Sequence, residues 1–431
     1  MGKKYEQLLL ELLHRELIPA MGCTEPAAVA YAANIARTTL GCLPEHVIVR
    51  CSGNIVKNVK GVVIPNSGGL KGIEASCILG ILAPENGQGL EVLNELEESA
   101  IAKTKQLIGT NYCEMFVEKE QGPLYIDVEV IAPGQQSRAV IKDGHTNVIL
   151  IEKNGNSIFT PEKLKKPMKD EEEADEADEA DEAELSIKSI LSFARELRVE
   201  DVEVLLEKQV DVNMSIAQEG LEVEYGECVG KILVSDYNDD IMTRAKAKAA
   251  AGVDARMGGS PMPVIINSGS GNQGITVSVP VVEYAWALGS SKEDLYRALV
   301  ISNLVSIHIK RQIGKLSAFC GAVSAACGAG AGITFLQGGG YDEICATIIN
   351  TAVNVGGIFC DGAKASCAAK VASSIDAAIL GGKMALQGKS FSFGEGIVGK
   401  DIEETIRNIG KLGREGMGEA DKSIIDLMTC P

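Results

Sequence analysis

From Cys320 to Cys367 the chain offers little that would hold two backbones apart. The stretch opens as CGAVSAACGAGAGI, runs without a charge from Ile344 to Cys360 and closes as CDGAKASC, with small residues dominating throughout. Helices with so little side-chain bulk must pack at close range. The whole chain shares the bias, since aromatics make up 4% of it while glycine numbers 47. Close backbone contact has to replace ring burial in the core.

The same stretch sets Cys320, Cys327, Cys360 and Cys367 as two pairs with six residues inside each pair. Small neighbours let four thiols approach one another, which favours a metal centre. Zinc sites usually keep paired cysteines about two to four residues apart, whereas iron–sulfur clusters accept looser spacing and thiolates from separated segments. The spacing leans towards iron and sulfur. Each thiol also has a plainer reading, because free cysteine buries readily as a small hydrophobe and fills Ala/Gly-rich helical cores. Asp361 and Lys364 are poor core material and weigh against that reading for Cys360 and Cys367.

The 431 residues, 45% of them hydrophobic, suffice for two or three domains. Net charge is −18, but residues 170–184 alone hold eleven acids and no base, which leaves the remainder near −7. An acidic body argues against a nucleic-acid partner, which would want a basic face. Twelve cysteines fit a reducing, cytoplasmic setting. The leucines of MGKKYEQLLLELLHREL are interspersed with charges and read as an amphipathic helix. No segment reaches the roughly 20 apolar residues of a membrane span.

In chain order, Met21-Gly22-Cys23-Thr24-Glu25-Pro26 precedes an alanine-rich helix with Thr24 as its expected N-cap. Cys23 would then lie at the positive end of a helix dipole, which lowers a thiol pKa and makes a reactive cysteine. A loop cysteine of no consequence is the alternative. HVIVRCSGNIVKNVKGVVIP predicts a hairpin or two strands. Asn66-Ser67-Gly68-Gly69-Leu70-Lys71-Gly72 is a polar loop entering a helix, a form that can present N–H groups to an anion. Residues 113–160 alternate as an antiparallel meander with one wet face, and His145 reads as a solvated turn residue.

Residues 163–184 read as an acidic linker between an N-terminal domain, 1–162, and a helical domain, 185–431. Within the second, Gly269-Ser270-Gly271-Asn272-Gln273-Gly274 matches G-x-G-x-x-G. Glu293 and Asp294, at the distance where a dinucleotide fold places its acid, follow Ser291 as the start of a capped helix, so the nucleotide reading fails. What remains is a tight polar loop, Ser268 to Gly274, suited to a small carboxylate. Lys310, Arg311 and Lys315 lie just ahead of Cys320, either as a helix C-terminus matched to its dipole or as an attraction for an anionic substrate. His308 reads as a helix-face residue, and the tail ending Cys430-Pro431 as amphipathic helix.

MGCTEPAA, PNSGGLKGIEAS, DARMGG, NSGSGNQG, KLSAFCGA and CDGAKASCAAK, in that order, resemble the L-cysteine desulfidase family, related through its helical half to the iron–sulfur serine dehydratases. The resemblance spans all but the acidic insert. It implies an α+β fold, an N-terminal α/β domain with an antiparallel sheet followed by a mainly helical catalytic domain. It also implies a [4Fe-4S] cluster acting as Lewis acid, and L-cysteine split to pyruvate, ammonia and sulfide. Carried over by position, the cluster ligands are Cys320, Cys360 and Cys367, and Cys23 is the further functional thiol. Cys327 has no counterpart in the family pattern. Three thiolates leave one iron open to substrate, as elimination requires, whereas four would close the site.

The expected arrangement has Thr24, Asn66, Ser67 and Lys71 from the first domain, with Ser268, Gly269, Ser270 and Asn272 from the second, binding the small amino-acid substrate while a low-pKa Cys23 takes the α-proton. Neither a nucleic acid nor a membrane partner is expected, and a homo-oligomer is compatible with the sequence. The rival readings are a serine dehydratase with the same cluster, a pyridoxal-phosphate lyase using Lys364, and a non-catalytic iron–sulfur or redox-sensing protein in which Cys327 completes the coordination.

Overall fold

A computed structural model describes residues 3–84, 89–160, 185–236, 239–314 and 317–429. Residues 163–184, Lys315 and the terminal Cys430-Pro431 lie outside the described residues. The fold is α+β, with a sheet-bearing N-terminal part and a helical C-terminal part.

The N-terminal part runs α1 (Lys3–Glu16), β1 (Pro19–Met21), α2 (Thr24–Leu40), β2 (His46–Ser52), α3 (Gly53–Val59), α4 (Ile73–Leu82), α5 (Glu98–Leu107), β3 (Cys113–Glu118), β4 (Tyr125–Ala132), β5 (Gln135–Lys142), β6 (Val148–Lys153) and β7 (Asn156–Phe159). Six of these strands form one sheet in the order β3-β2-β4-β5-β6-β7. β4 to β7 form the expected antiparallel meander, while β2 is inserted between β3 and β4 and pairs parallel with β3. Ile126, Val128 and Val130 point inward to the apolar layer shared with α2 and α4. On the opposite face Arg50, Asp127, Glu129, Arg138 and Glu152 form a charged ladder around a cleft of about 420 Å³.

One local expectation fails. Residues 53–59 are a helix, α3, and not the second strand of a hairpin. Ile55, Val56 and Val59 sit at helical spacing and all three enter the N-terminal core, so tertiary burial overrides β-branched propensity.

The helical part comprises α6 (Ile187–Glu196), α7 (Glu203–Glu222), α8 (Val229–Asp236), α9 (Ile241–Met257), β8 (Pro263–Ile265), α10 (Gly271–Leu288), α11 (Lys292–Ile313), α12 (Gly321–Leu336), α13 (Tyr341–Val355), α14 (Cys367–Ala385), α15 (Ile402–Lys411) and α16 (Gly418–Thr429). Ser291 caps α11, with Glu293 and Asp294 in its first turn. α12 is buried along nearly its whole length, and a Cβ on its Gly328 would fall 2.2 Å from the Ser302 carbonyl oxygen of α11. Backbone contact of that kind is what the aromatic-poor composition demanded.

Both chain ends cross between the parts. Leu9, Leu12 and Leu13 of α1 join the helical core. α16 packs on α3, where Lys57 Nζ meets Asp421 at 2.5 Å. β1 pairs antiparallel with β8, Ala20 opposite Val264. In that register the end of β1 that leads into Gly22-Cys23 lies beside the start of β8, just after α9, whereas Ile18 accepts from Ile266 N at the end that leads into the loop before α10. Among the described residues no helix is long and apolar enough to cross a membrane.

Candidate active site

Cys23 is the N-cap of α2, one residue ahead of the expected Thr24, and its thiol is buried. It donates to Glu25 Oε2 at 2.9 Å. Glu25 gathers further donors, Thr24 Oγ1 at 3.2 Å on Oε2 and Asn58 Nδ2 at 3.0 Å on Oε1. His145 Nε2 lies 3.4 Å from Thr24 Oγ1 and 4.0 Å from Glu25 Oε1. His145 is therefore no solvated turn residue but part of this cluster. Four elements meet here: the start of α2, the end of α3, the β5–β6 turn and, through Arg256, the end of α9.

The expected low thiol pKa at Cys23 is overturned. Burial pushes the thiol well above its ordinary value and the Glu25 carboxylate pushes it further, with only Arg256 pulling it back appreciably by charge. Desolvation and a carboxylate hydrogen-bonded to the thiol outweigh a helix dipole worth a fraction of a charge. For Glu25, burial works upward, but the hydrogen bond and charge of His145 and the bond from Cys23 hold it at about 2. The resting state is thus a protonated thiol beside an ionised carboxylate.

Arg256, at the end of α9, is 5% exposed, and its Nη1 donates to Asn272 Oδ1 at 3.0 Å. Asn272 belongs to the first turn of α10, which Ser270 caps by accepting from Gln273 N. The preceding loop is held from beneath by buried amides. Asn267 donates to the carbonyl and side-chain oxygens of Asn303, whose amide exchanges bonds with Gln209. Ser268, with φ of 49°, donates to Asn267 Oδ1 at 2.9 Å, and Gly269 is exposed at the tip. On the far side of the same turn, a Cβ on Gly321 would fall 2.8 Å from Gln273 Cδ. One turn of α10 therefore touches both the Cys23 cluster and the residue that follows Cys320.

Cys320 and Cys360 are brought together by a short antiparallel bridge between Phe319 and Phe359, with Cys320 N bonded to Ile358 O at 3.2 Å and Cys360 N to Ala318 O at 2.6 Å. Cys367 opens α14 and turns its thiol to the Gly362 carbonyl at 3.6 Å. The three thiols feel one another. Burial pushes Cys320 up to about 12, with Cys360 and Cys367 adding to the rise, and Cys360 likewise adds to that of Cys367. The cations Lys310 and Lys370 lie within the same field. Burial lowers Lys310 to about 8, while its Nζ donates to Gly314 O at 2.7 Å.

Gly362 lets this loop press on α3, since a Cβ there would stand 2.0 Å from the Lys57 carbonyl oxygen. Lys364 is committed to its own loop, donating to the Asp361 and Gly362 carbonyls and pairing with the Asp361 carboxylate. Cys327 faces elsewhere, its thiol against Ile348 O at 3.9 Å and raised chiefly by burial. It is core filler.

Among the described residues no three of His, Cys, Asp or Glu are arranged around a single metal ion. A cuboidal cluster asks for something else, one thiolate on each of several irons, with the sulfurs spread about a cavity. Three mutually coupled thiols from two backbone segments, with cations in their field, suit that donor chemistry.

Of the other expected residues, Asn66 and Ser67 bond within their own part of the fold. Ser67 donates to Ile64 O at 2.6 Å and accepts from Leu70 N, closing its own turn. Asn66 bonds Leu93 O at 3.2 Å, and Lys71 is exposed. Sequence reasoning missed Glu25, Asn58, His145 and Arg256. Glu25 and Arg256 stood inside motifs already singled out, GCTEP and DARMGG, whereas Asn58 and His145 carried no local signal. His308, read as a helix-face residue, is buried and bonded to Glu403 at 2.7 Å.

Comparison with known proteins places this geometry in a lineage. A UPF0597 protein of Desulfitobacterium hafniense is 49% identical over 425 residues, covering 99% of this chain and 97% of its own. One from Lachnoclostridium phytofermentans is 47% identical, covering 97% of this chain and 99% of its own. One from Treponema denticola is 40% identical over 99% of each. The family profile described as serine dehydratase alpha chain matches residues 87–426, a span that takes in His145, Arg256, the loop before α10 and all three coupled cysteines. The chain belongs to the serine dehydratase alpha chain family, a lyase family, and is related along its whole length to the UPF0597 proteins.

Proposed function

We propose that this protein is a carbon–sulfur lyase that splits L-cysteine into pyruvate, ammonia and sulfide, with a [4Fe-4S] cluster held by Cys320, Cys360 and Cys367. The observation that carries the reading is the first turn of α10, with Asn272 bonded to Arg256 in the field of Cys23 and Gln273 packed on Gly321 beside Cys320. When bound, a cluster with three thiolates supplies an open iron, a Lewis acid for the leaving sulfur.

The chain's own groups do the rest. Elimination removes a weakly acidic Cα proton, and Cys23 is the group positioned to take it. Because its resting thiol is protonated, Cys23 can take the Cα proton only after giving up its own, and the acceptor in place is the Glu25 carboxylate to which it is bonded. Glu25, to which Thr24 is also bonded, then passes that proton to the departing sulfide, and the Cα proton remains on Cys23. Ser268, Gly269, Ser270 and Asn272 shape the polar mouth above α10. Asn66 and Ser67 bond Leu93 O and Ile64 O and Lys71 is exposed, so their part in the proposed site is through the polar loop that they form. Burial of Cys23 keeps bulk water from the thiol. Aminoacrylate leaves and hydrolyses to pyruvate and ammonia.

A serine dehydratase is the second reading, favoured by the description of the matching family. Protein prepared without oxygen, assayed for iron, acid-labile sulfide and product, separates the readings. Sulfide and pyruvate from L-cysteine in proportion to iron content support the first, and preferred turnover of L-serine supports the second. Pyruvate from neither substrate by iron-loaded protein removes the lyase reading.

A further inference from the structure

We infer that Arg256 is the counter-ion of the substrate's α-carboxylate. The inference rests on the lyase reading only for the identity of the substrate. Its physical basis is a buried cation for which no ion pair is found among the described residues. Arg256 is 5% exposed, its Nε has no hydrogen-bond partner, and the bond given to it among the described residues goes to the neutral amide oxygen of Asn272. The carboxylate two residues earlier, Asp254, faces away and accepts from Gly230 N at 3.0 Å. A guanidinium left uncompensated in a protein interior is costly, and a planar carboxylate is the partner its forked donors match.

Its position sharpens the demand. Gly271 is the first residue of α10, an 18-residue helix, and a Cβ there would stand 2.3 Å from Arg256 Nε and 2.8 Å from Cζ. Glycine thus lets the guanidinium lie directly against the helix N-terminus, where the backbone dipole is already positive. Two positive ends gathered at one place repel until an anion enters, and helix N-termini accept carboxylates through free N–H groups. The Cys23 thiol lies in the field of the same guanidinium. A carboxylate bound there leaves the α-carbon, one bond away, facing Cys23, with the β-substituent free to extend towards Cys320. Two roles then belong to one residue, anchoring the substrate and choosing which of its ends meets the thiol.

The test is equilibrium binding by calorimetry to the iron-loaded, full-length protein prepared without oxygen. L-Alanine carries the carboxylate and ammonium but no leaving group, and ethylamine is the same molecule without the carboxylate. Wild type is expected to bind L-alanine and not ethylamine. Arg256→Gln should weaken L-alanine about 100-fold or more, and Arg256→Lys, which keeps the charge but loses the fork, about tenfold. Circular dichroism and iron content check that both variants fold. If Arg256→Gln does not fold, the lysine variant and the ethylamine control decide the matter. L-Alanine binding within about threefold of wild type in a folded variant overturns the inference, as does wild type binding ethylamine equally well or L-alanine not at all. Loss of lyase turnover from every substrate, with Arg256-dependent L-alanine binding intact, removes the proposed reaction and leaves the anchor standing.

Discussion

Among the described residues there are two groups of three thiols that act on one another, and their settings are opposite. Cys51, Cys77 and Cys113 lie in the sheet-bearing part, packed among valines and isoleucines. Cys77 is raised by its hydrogen bond with Cys113 and by burial, and Cys51 by burial and the charge of Asp127. Among the leading charges on this group are those of Asp127, which raises Cys51, and Glu74, which raises Cys77. Cys320, Cys360 and Cys367 have Lys310 and Lys370 in their field, and they sit beside a short bridge and at the first residue of α14. Anionic neighbours oppose thiolates and cations favour them. Three sulfurs close together are thus not enough to mark a ligand set; on the proposed reading, the sign of the surrounding charge distinguishes core filler from donors.

That contrast fails most visibly if ligands and filler behave alike. Single replacements Cys320→Ala, Cys360→Ala and Cys367→Ala are each expected to reduce bound iron and lyase turnover to background. Cys77→Ala and Cys113→Ala should keep both, measured by iron content per chain and product formation. Iron lost equally from both groups would break the distinction.

Cys23 stands between the two, a buried thiol with a carboxylate on one side and a guanidinium on the other. Cys23→Ala should lower turnover by ~10²–10⁴-fold, the range for a lost acid–base group, while iron content holds. Full turnover by the variant would move the base elsewhere. Because the thiol is raised and not lowered, the 240 nm thiolate absorbance that distinguishes wild type from Cys23→Ser in cluster-free protein should appear only above pH 9. A signal already present at neutral pH would contradict the assignment.

Glu25 supplies a smaller effect with a defined sign. Its folded pKa of about 2 lies below the ordinary 4.5, so its ionised form stabilises the fold fully above about 4.5, and that stability is lost as pH falls towards 2. Glu25→Gln is expected to cost up to ~3 kcal/mol in denaturant unfolding at pH 7, with the gap to wild type closing near pH 2. A constant gap across that range would mean that the carboxylate's ionisation contributes nothing.

The smallest effect belongs to filler thiols. Cys327→Ala and Cys113→Ala each remove one buried sulfur and should cost ~1 kcal/mol without touching the metal. A larger penalty coupled to iron loss in Cys327→Ala would revive a fourth ligand.

Much of this was legible in the chain. Alternation announced the meander, Gly258 after α9 and Ser291 before α11 announced helix ends, and the charged CDGAKASC segment singled out Cys360 and Cys367. Asn58 was not legible, because β-branched neighbours suggested a strand and only burial of Ile55, Val56 and Val59 makes that segment a helix. Nor was His145, which meets Thr24 across 121 residues of chain.

By itself the sequence determined which residue types were available and where they clustered along the chain: the small-residue helices, the polar loop before Gly271 and three cysteines in two segments. The tertiary structure decided what each of them is. The β1–β8 pairing ties the segment before Cys23 to the segment between α9 and α10, and the Phe319–Phe359 bridge joins Cys320 to Cys360. Burial turned an expected reactive thiolate into a protonated thiol and left the Arg256 Nε without a hydrogen-bond partner among the described residues. The reason is physical: propensity and periodicity act over a few residues, whereas desolvation and charge depend on what every other segment brings to the same point.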